Sequence, residues 1–122
     1  MLFALRANAQ AYYIYSDGNS NSYTLDEKKL VYTPVNPEES SSGTYSGGKG
    51  AKKEITKDTF KHISALLDKA MSEKEDCQEN REMGTAQIAK YSSKGKLKKK
   101  VILRANALYK VKIEEVFQIH LK

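Results

Sequence analysis

AYYIYSDGNSNSYTLDEKKLVYTPV, residues 11–35, is the stretch that decides the fold class. YYIYS alternates with aromatic and β-branched weight, the pattern of a strand with one buried face. SDGNSNS is made of residues that accept tight-turn backbone, SYTL is short, and LVYTPV resumes the strand pattern. Asp26 to Lys29 makes a second tight connection. The segment therefore reads as two or three antiparallel strands in a meander, with Tyr13, Tyr15, Tyr23 and Tyr32 on or beside one face.

The first of these turns also opens like a calcium loop, since Asp17, Asn19 and Asn21 match D-x-N-x-N. The match fails further on. The position that needs glycine is Ser22, and the position that needs a bidentate acid is Lys28. Three oxygen donors do not encircle a hard cation, so a hairpin turn is expected and no metal.

Beyond the meander, Phe60, Ile63, Leu66, Leu67, Ala70 and Met71 recur at helical spacing. Thr56 is placed to cap this helix and Asp58 favours its first turn, which predicts a helix over 57–74. SEKEDCQENREM, residues 72–83, reads as a helix tail followed by loop. Gly84 to Tyr91 and Leu97 to Arg104 are predicted strands around a Ser-Ser-Lys-Gly-Lys turn. Leu97, Lys99, Val101 and Leu103 share one face of the second strand, and Lys98, Lys100, Ile102 and Arg104 the other. Neither face is apolar near the turn, so the tip must stand in solvent. In the last segment Asn106 offers a cap, and Tyr109, Ile113, Val116, Phe117 and His120 fall on one helical face. YKVKI also alternates like a strand; length and Glu114-Glu115 favour the helix. The expected fold is α+β: one domain over 10–122, an antiparallel sheet of meander plus hairpin, packed against two helices.

Charge is unevenly spread. The net of +6 divides into −2 over residues 1–82 and +8 over residues 83–122, and no carboxylate lies between Met83 and Ile113. Lys90, Lys94, Lys96, Lys98, Lys99, Lys100 and Arg104 crowd the predicted hairpin, with Tyr91 beside them. Such a patch can neutralise phosphates or sulfates by releasing counterions, and the tyrosine can stack on a base. The same lysines can instead keep a sheet edge from pairing with other chains, or dock an acidic protein. No apolar run is long enough to cross a bilayer.

GTYSGGKG, residues 43–50, spells most of a phosphate-binding loop. The residue that should hold magnesium is Gly50, and AKKEI separates the loop from the next helix cap, so nucleotide binding is not expected. The longer run NPEESSSGTYSGGKG, residues 36–50, is a polar loop of a length that is functional or disordered. Glu38, Glu39, Tyr45 and Lys49 are its candidate recognition residues, for a protein or glycan partner.

At the N-terminus, Leu2 to Leu5 followed by Ala7-Asn8-Ala9 and Gln10 fits a short apolar stretch with a small-x-small cleavage site. The alternative is that Leu2 to Leu5 begin a first strand or helix. The ANAQ ending resembles export signals of Bacteroidetes-type bacteria, and residues 30–50 resemble a loop of small secreted proteins of that group. The resemblance implies an α+β fold and a periplasmic or extracellular location, with residues 1–9 removed, and it brings no activity with it.

Catalysis finds little footing. His62 lies one residue off the apolar stripe, where a surface histidine is expected. His120 falls on an inner face, as a hydrogen-bonded core histidine. The single cysteine, Cys77, has Glu75, Asp76 and Glu79 for neighbours, which disfavour the thiolate. The sequence therefore predicts a non-enzymatic binding module without a cofactor, its alternative being a polyanion or nucleic-acid binder acting through the basic hairpin.

Overall fold

The computed structural model of the protein describes residues 11–35 and 48–122. Its strands are β1 (Tyr12–Ser16), β2 (Ser22–Leu25), β3 (Lys29–Thr33), β4 (Ala51–Glu54), β5 (Cys77–Gln78), β6 (Ala86–Tyr91) and β7 (Leu97–Leu103). Helix α1 (Lys57–Ser72) follows β4, and α2 (Leu108–Leu121) follows β7. The strands form one sheet in the order β4-β3-β2-β1-β6-β7-β5, each neighbouring pair antiparallel. This is the α+β arrangement expected, a meander and a hairpin in one sheet with two helices.

Both turns of the meander are held by an aspartate. The Asp17 carboxylate accepts the backbone N–H groups of Asn19 at 2.8 Å and Asn21 at 2.9 Å. It also takes the Asn21 side-chain amide at 3.0 Å, so the Asp17 carboxylate closes the hairpin turn. Asn21, buried at 3% exposure, accepts the Val35 N–H at 3.0 Å and ties the turn to the end of the meander. Asp26 repeats the device, accepting from Lys28 and Lys29 at 2.8 and 2.9 Å.

Strand alternation places Tyr13, Tyr15, Tyr23, Leu25, Leu30, Ala86, Ile88 and Leu103 on one face, where they pack with Phe60, Ile63 and Leu67 of α1 and Ile113 and Phe117 of α2. Phe117 stacks on Tyr23 at 4.6 Å between ring centres and meets Tyr15 edge-on at 5.5 Å. Two tyrosines of β1 fasten one helix each. Tyr13 donates to Asp68 of α1 at 2.8 Å, and Tyr15 donates to Glu114 of α2 at 2.6 Å. Each carboxylate also holds a lysine: Lys90 at 3.1 Å from Asp68, Lys110 at 3.2 Å from Glu114. Burial keeps both phenols protonated well above the usual tyrosine value, and the carboxylates they donate to add to the shift.

Several sequence expectations change in detail. AKKEI is not a plain connection: Ala51–Glu54 is the edge strand β4, paired with β3 from Lys29↔Glu54 to Tyr32↔Ala51. Helix α1 stops at Ser72, and Lys74–Asp76 form a 3-10 turn that leads into β5. Residues 77–78 are therefore in the sheet, not in a loop. β6 begins at Ala86 because Gly84, at φ 84°, completes a turn before it. Asn106 is not the cap of α2; the cap position is Ala107, without a side-chain bond. The open N–H of Tyr109 goes to the Asp76 carboxylate at 3.3 Å, so the helix start is capped from the 3-10 turn. His120 is half-buried in the last turn of α2 and is not a core residue.

Candidate functional site

The basic hairpin is organised by its turn. Ser92 and Gly95 close it, with Gly95 N–H on the Ser92 carbonyl at 2.9 Å and Ser92 N–H on the Lys96 carbonyl at 2.8 Å. The Ser92 hydroxyl accepts the N–H groups of Lys94 and Lys96 at 3.3 and 3.1 Å. Gly95 has φ 89°, a left-handed conformation that β-carbon-bearing residues adopt at a cost. The backbone amides of Ser92, Lys94, Gly95 and Lys96 are satisfied within the turn, so the lysine side chains are the main feature it offers to a partner.

Register then sorts the lysines. Lys90 opposes Lys99, whereas Tyr91 opposes Leu97, so Lys98 is the extra residue of a β-bulge. Lys90 and Lys99 lie on the helix-packed face and Lys100, opposite Ala89, lies on the other. Lys90 is committed: besides its pair with Asp68, its ammonium sits 5.4 Å from the centre of the Tyr13 ring. Arg104 is committed too, its Nε donating to the Glu75 carbonyl at 3.0 Å. Lys94, Lys96, Lys98, Lys99 and Lys100 are exposed, and among the described residues none has an ion-pair partner. Tyr91 stacks on Tyr12 of β1 with ring centres 5.1 Å apart and planes within 11°. The Tyr12 hydroxyl reaches the tip, where a β-carbon on Gly95 would lie 3.7 Å from it. The eight residues singled out from the sequence thus divide into two tied cations, five unpaired ones and one stacked ring.

Beside this hairpin lies a cleft of 860 Å³, bounded by Met71, Ser72, Lys74, Cys77, Gln78, Glu79, Lys99, Val101 and Arg104. Met71, Lys74 and Cys77 were not foreseen as neighbours of the lysine run. They arrive through the 3-10 turn and β5, which bring the end of α1 against β7. Cys77 is half-buried, with Sγ 3.8 Å from the Ala70 carbonyl. Burial pushes its thiol pKa up, and Asp76 pushes it further, against the opposing pull of Lys99 and Arg104. The direction agrees with the sequence, but burial, more than the neighbouring acids, is its main cause.

The remaining candidates are separate from this region. Glu38, Glu39 and Tyr45 lie outside the described residues. Lys49 is exposed, just before β4. The residues after Gly50 form a strand and not a helix, so no helix N-terminus faces the glycine run. His62 is exposed on α1, as expected. Among the described residues no three His, Cys, Asp or Glu side chains converge as a metal set, and no helix is long and apolar enough to cross a membrane.

Comparison with protein-family models, curated proteins and solved structures returns no match for this chain.

Proposed function

We propose that this protein is a small non-enzymatic binding module that engages an anionic partner through the β6–β7 hairpin. The observation that carries this reading is the set of exposed lysines Lys94, Lys96, Lys98, Lys99 and Lys100 on one hairpin, none of them in an ion pair among the described residues. A surface in which each lysine had an acidic neighbour would gain nothing from binding anions. Here the ammonium groups keep their counterions, and releasing these is the driving force for a polyanion. The exposed His62 and the raised thiol pKa of Cys77 support leaving catalysis out of the proposal.

Amide-resolved NMR titration at low and moderate salt, with a heparin fragment, a short RNA and an acidic peptide, tests the reading. Saturable shifts confined to residues 90–104 that weaken as salt rises are expected. A flat response to all of these ligands at low salt overturns it.

A second reading is favoured by the edges of the sheet. Consecutive lysines occur in strands at Lys52-Lys53 of β4 and Lys98-Lys99-Lys100 of β7, and both strands lie at or next to a sheet edge. Charge there discourages edge-to-edge pairing of chains. Under this reading a variant with glutamine at 98, 99 and 100 self-associates but loses no ligand.

Export belongs to the proposal as well, on the strength of Ala7-Asn8-Ala9-Gln10. Intact mass of protein recovered from its native cells tests it: a chain beginning at Gln10 is expected, and one beginning at Met1 refutes it.

A further inference from the structure

We infer that the open edge of β7, residues 97–101, takes up an extended acidic segment of a partner polypeptide as an added strand. The inference rests on the reading of the hairpin as an anion-binding surface and specifies what binds there. Its first ground is the edge itself. β5 pairs with β7 only at Cys77↔Leu103 and Gln78↔Ile102. From Val101 back to Leu97, β7 has β6 on one side and, among the described residues, no strand on the other. An incoming strand that continued the track of β5 would find backbone N–H and C=O groups ready to pair.

The second ground is the cleft that runs along this edge. Its lining combines apolar Met71, Val101 and Cys77 with the cations Lys74, Lys99 and Arg104, which outnumber its one carboxylate, Glu79. Val101 and Lys99 face into it, while Lys100 faces the other side of the sheet. A strand laid antiparallel to β7 would therefore place an apolar side chain opposite Val101, beside the apolar part of the cleft lining. Its next residues would meet Lys100, Lys99 and Lys98 in turn. The fitting occupant is an apolar residue followed by an acidic run.

The charge pattern also decides against a second copy of this edge. Antiparallel pairing of β7 with itself would set lysines directly opposite lysines, which is unfavourable. The same residues that block self-pairing select an acidic strand, so edge protection and recognition use one device.

The test uses the whole protein and a short peptide in which a leucine precedes a run of glutamates. A second peptide of identical sequence is N-methylated on alternate backbone amides, which preserves charge and removes strand pairing. A heparin fragment serves as a sequence-free polyanion. Strand addition predicts that the first peptide slows amide exchange in residues 97–101 and binds about tenfold more tightly than its methylated form, the worth of one to two backbone hydrogen bonds. Equal affinity of the two peptides refutes strand addition and leaves the anion-binding reading intact. Binding of heparin without either peptide likewise refutes it and assigns the hairpin to a polyanion. Failure of all three ligands overturns both readings. The exchange of Lys99 and Lys100 for glutamate, on exposed positions, is expected to abolish peptide binding with an unchanged fold, and undiminished binding would again refute the inference.

Discussion

Raising the pH should unfold this protein through its tyrosines. Tyr13, Tyr15 and Tyr23 are buried, at 3%, 0% and 4% exposure. Burial and hydrogen bonding to Asp68 and Glu114 raise the first two phenols above their ordinary value. Burial raises Tyr23 to about 12, although the Gln118 amide donated to it pulls the other way. A phenol with a raised native pKa holds its proton when the unfolded chain has lost it. Its stabilisation is complete below about pH 10, the unfolded value, and declines as pH rises towards the native value. At about pH 11, one unit above that value, each such proton costs about 1.4 kcal/mol, and the three together about 4 kcal/mol. That is comparable with the whole stability of a domain of this size, roughly 5–15 kcal/mol.

The assay is a pH titration that follows far-ultraviolet circular dichroism and phenolate absorbance together. Tyr13, Tyr15 and Tyr23, three of the eight tyrosines, should ionise together with cooperative loss of structure. Tyr15→Phe removes one linked proton, so the steepest dependence of stability on pH should fall from about 4 to about 3 kcal/mol per unit. At neutral pH the same variant should cost about 1–3 kcal/mol, because Glu114 loses its short charge-assisted donor. Ionisation of all tyrosines in one wave with structure retained would refute the reasoning, as would an unchanged slope in Tyr15→Phe.

Three further outcomes follow from the geometry. Gly18→Ala should lower stability by about 1–3 kcal/mol in urea unfolding, since its β-carbon would lie 3.0 Å from the Gly84 carbonyl oxygen, a backbone atom that cannot swing aside. Thr56→Ala should cost about 1 kcal/mol, because the Thr56 hydroxyl accepts the Thr59 N–H at 3.1 Å. Replacing Lys98, Lys99 and Lys100 with glutamine should leave the melting temperature within a few degrees, as all three are exposed. It should flatten the salt dependence of heparin binding, measured by calorimetry, in proportion to the phosphate- or sulfate-neutralising charges removed.

Helix α1 and the meander were legible in the sequence because their signals are local. Thr56 caps where it was expected to, and Phe60, Ile63, Leu67, Ala70 and Met71 are the buried stripe. The tyrosines of β1 and β2 alternate as a half-buried strand must. β4 was not legible: on an edge, Lys52, Lys53 and Glu54 are all exposed, so no alternation marks it as a strand. β5 is two residues long and has no pattern to read. The last segment imitated a strand because α2 is apolar on two sides. Ile113 and Phe117 are buried, while Leu108, Val111 and Ile119 are 60%, 54% and 65% exposed. The lysine run named the hairpin, but only register and distance distinguish the tied Lys90 and Arg104 from the others. The cleft was hidden because its walls come from α1, β5 and β7, which meet only in three dimensions.

The ladder between β1 and β6 joins the first strand described to one near the chain's other end, Tyr15 to Ile88 and Ser16 to Gln87. On one side of it the strands are linked by tight turns through β2 and β3, and on the other β6 and β7 form a hairpin. Each side can assemble from neighbours in sequence, whereas the ladder must close a long loop before it returns any energy. Folding of this protein should therefore be a docking of two preassembled pieces, its rate set by that closure. Mutations in Tyr15 or Ile88 would slow refolding, and so would those that weaken the β6–β7 hairpin, because its contacts are already formed when the ladder closes.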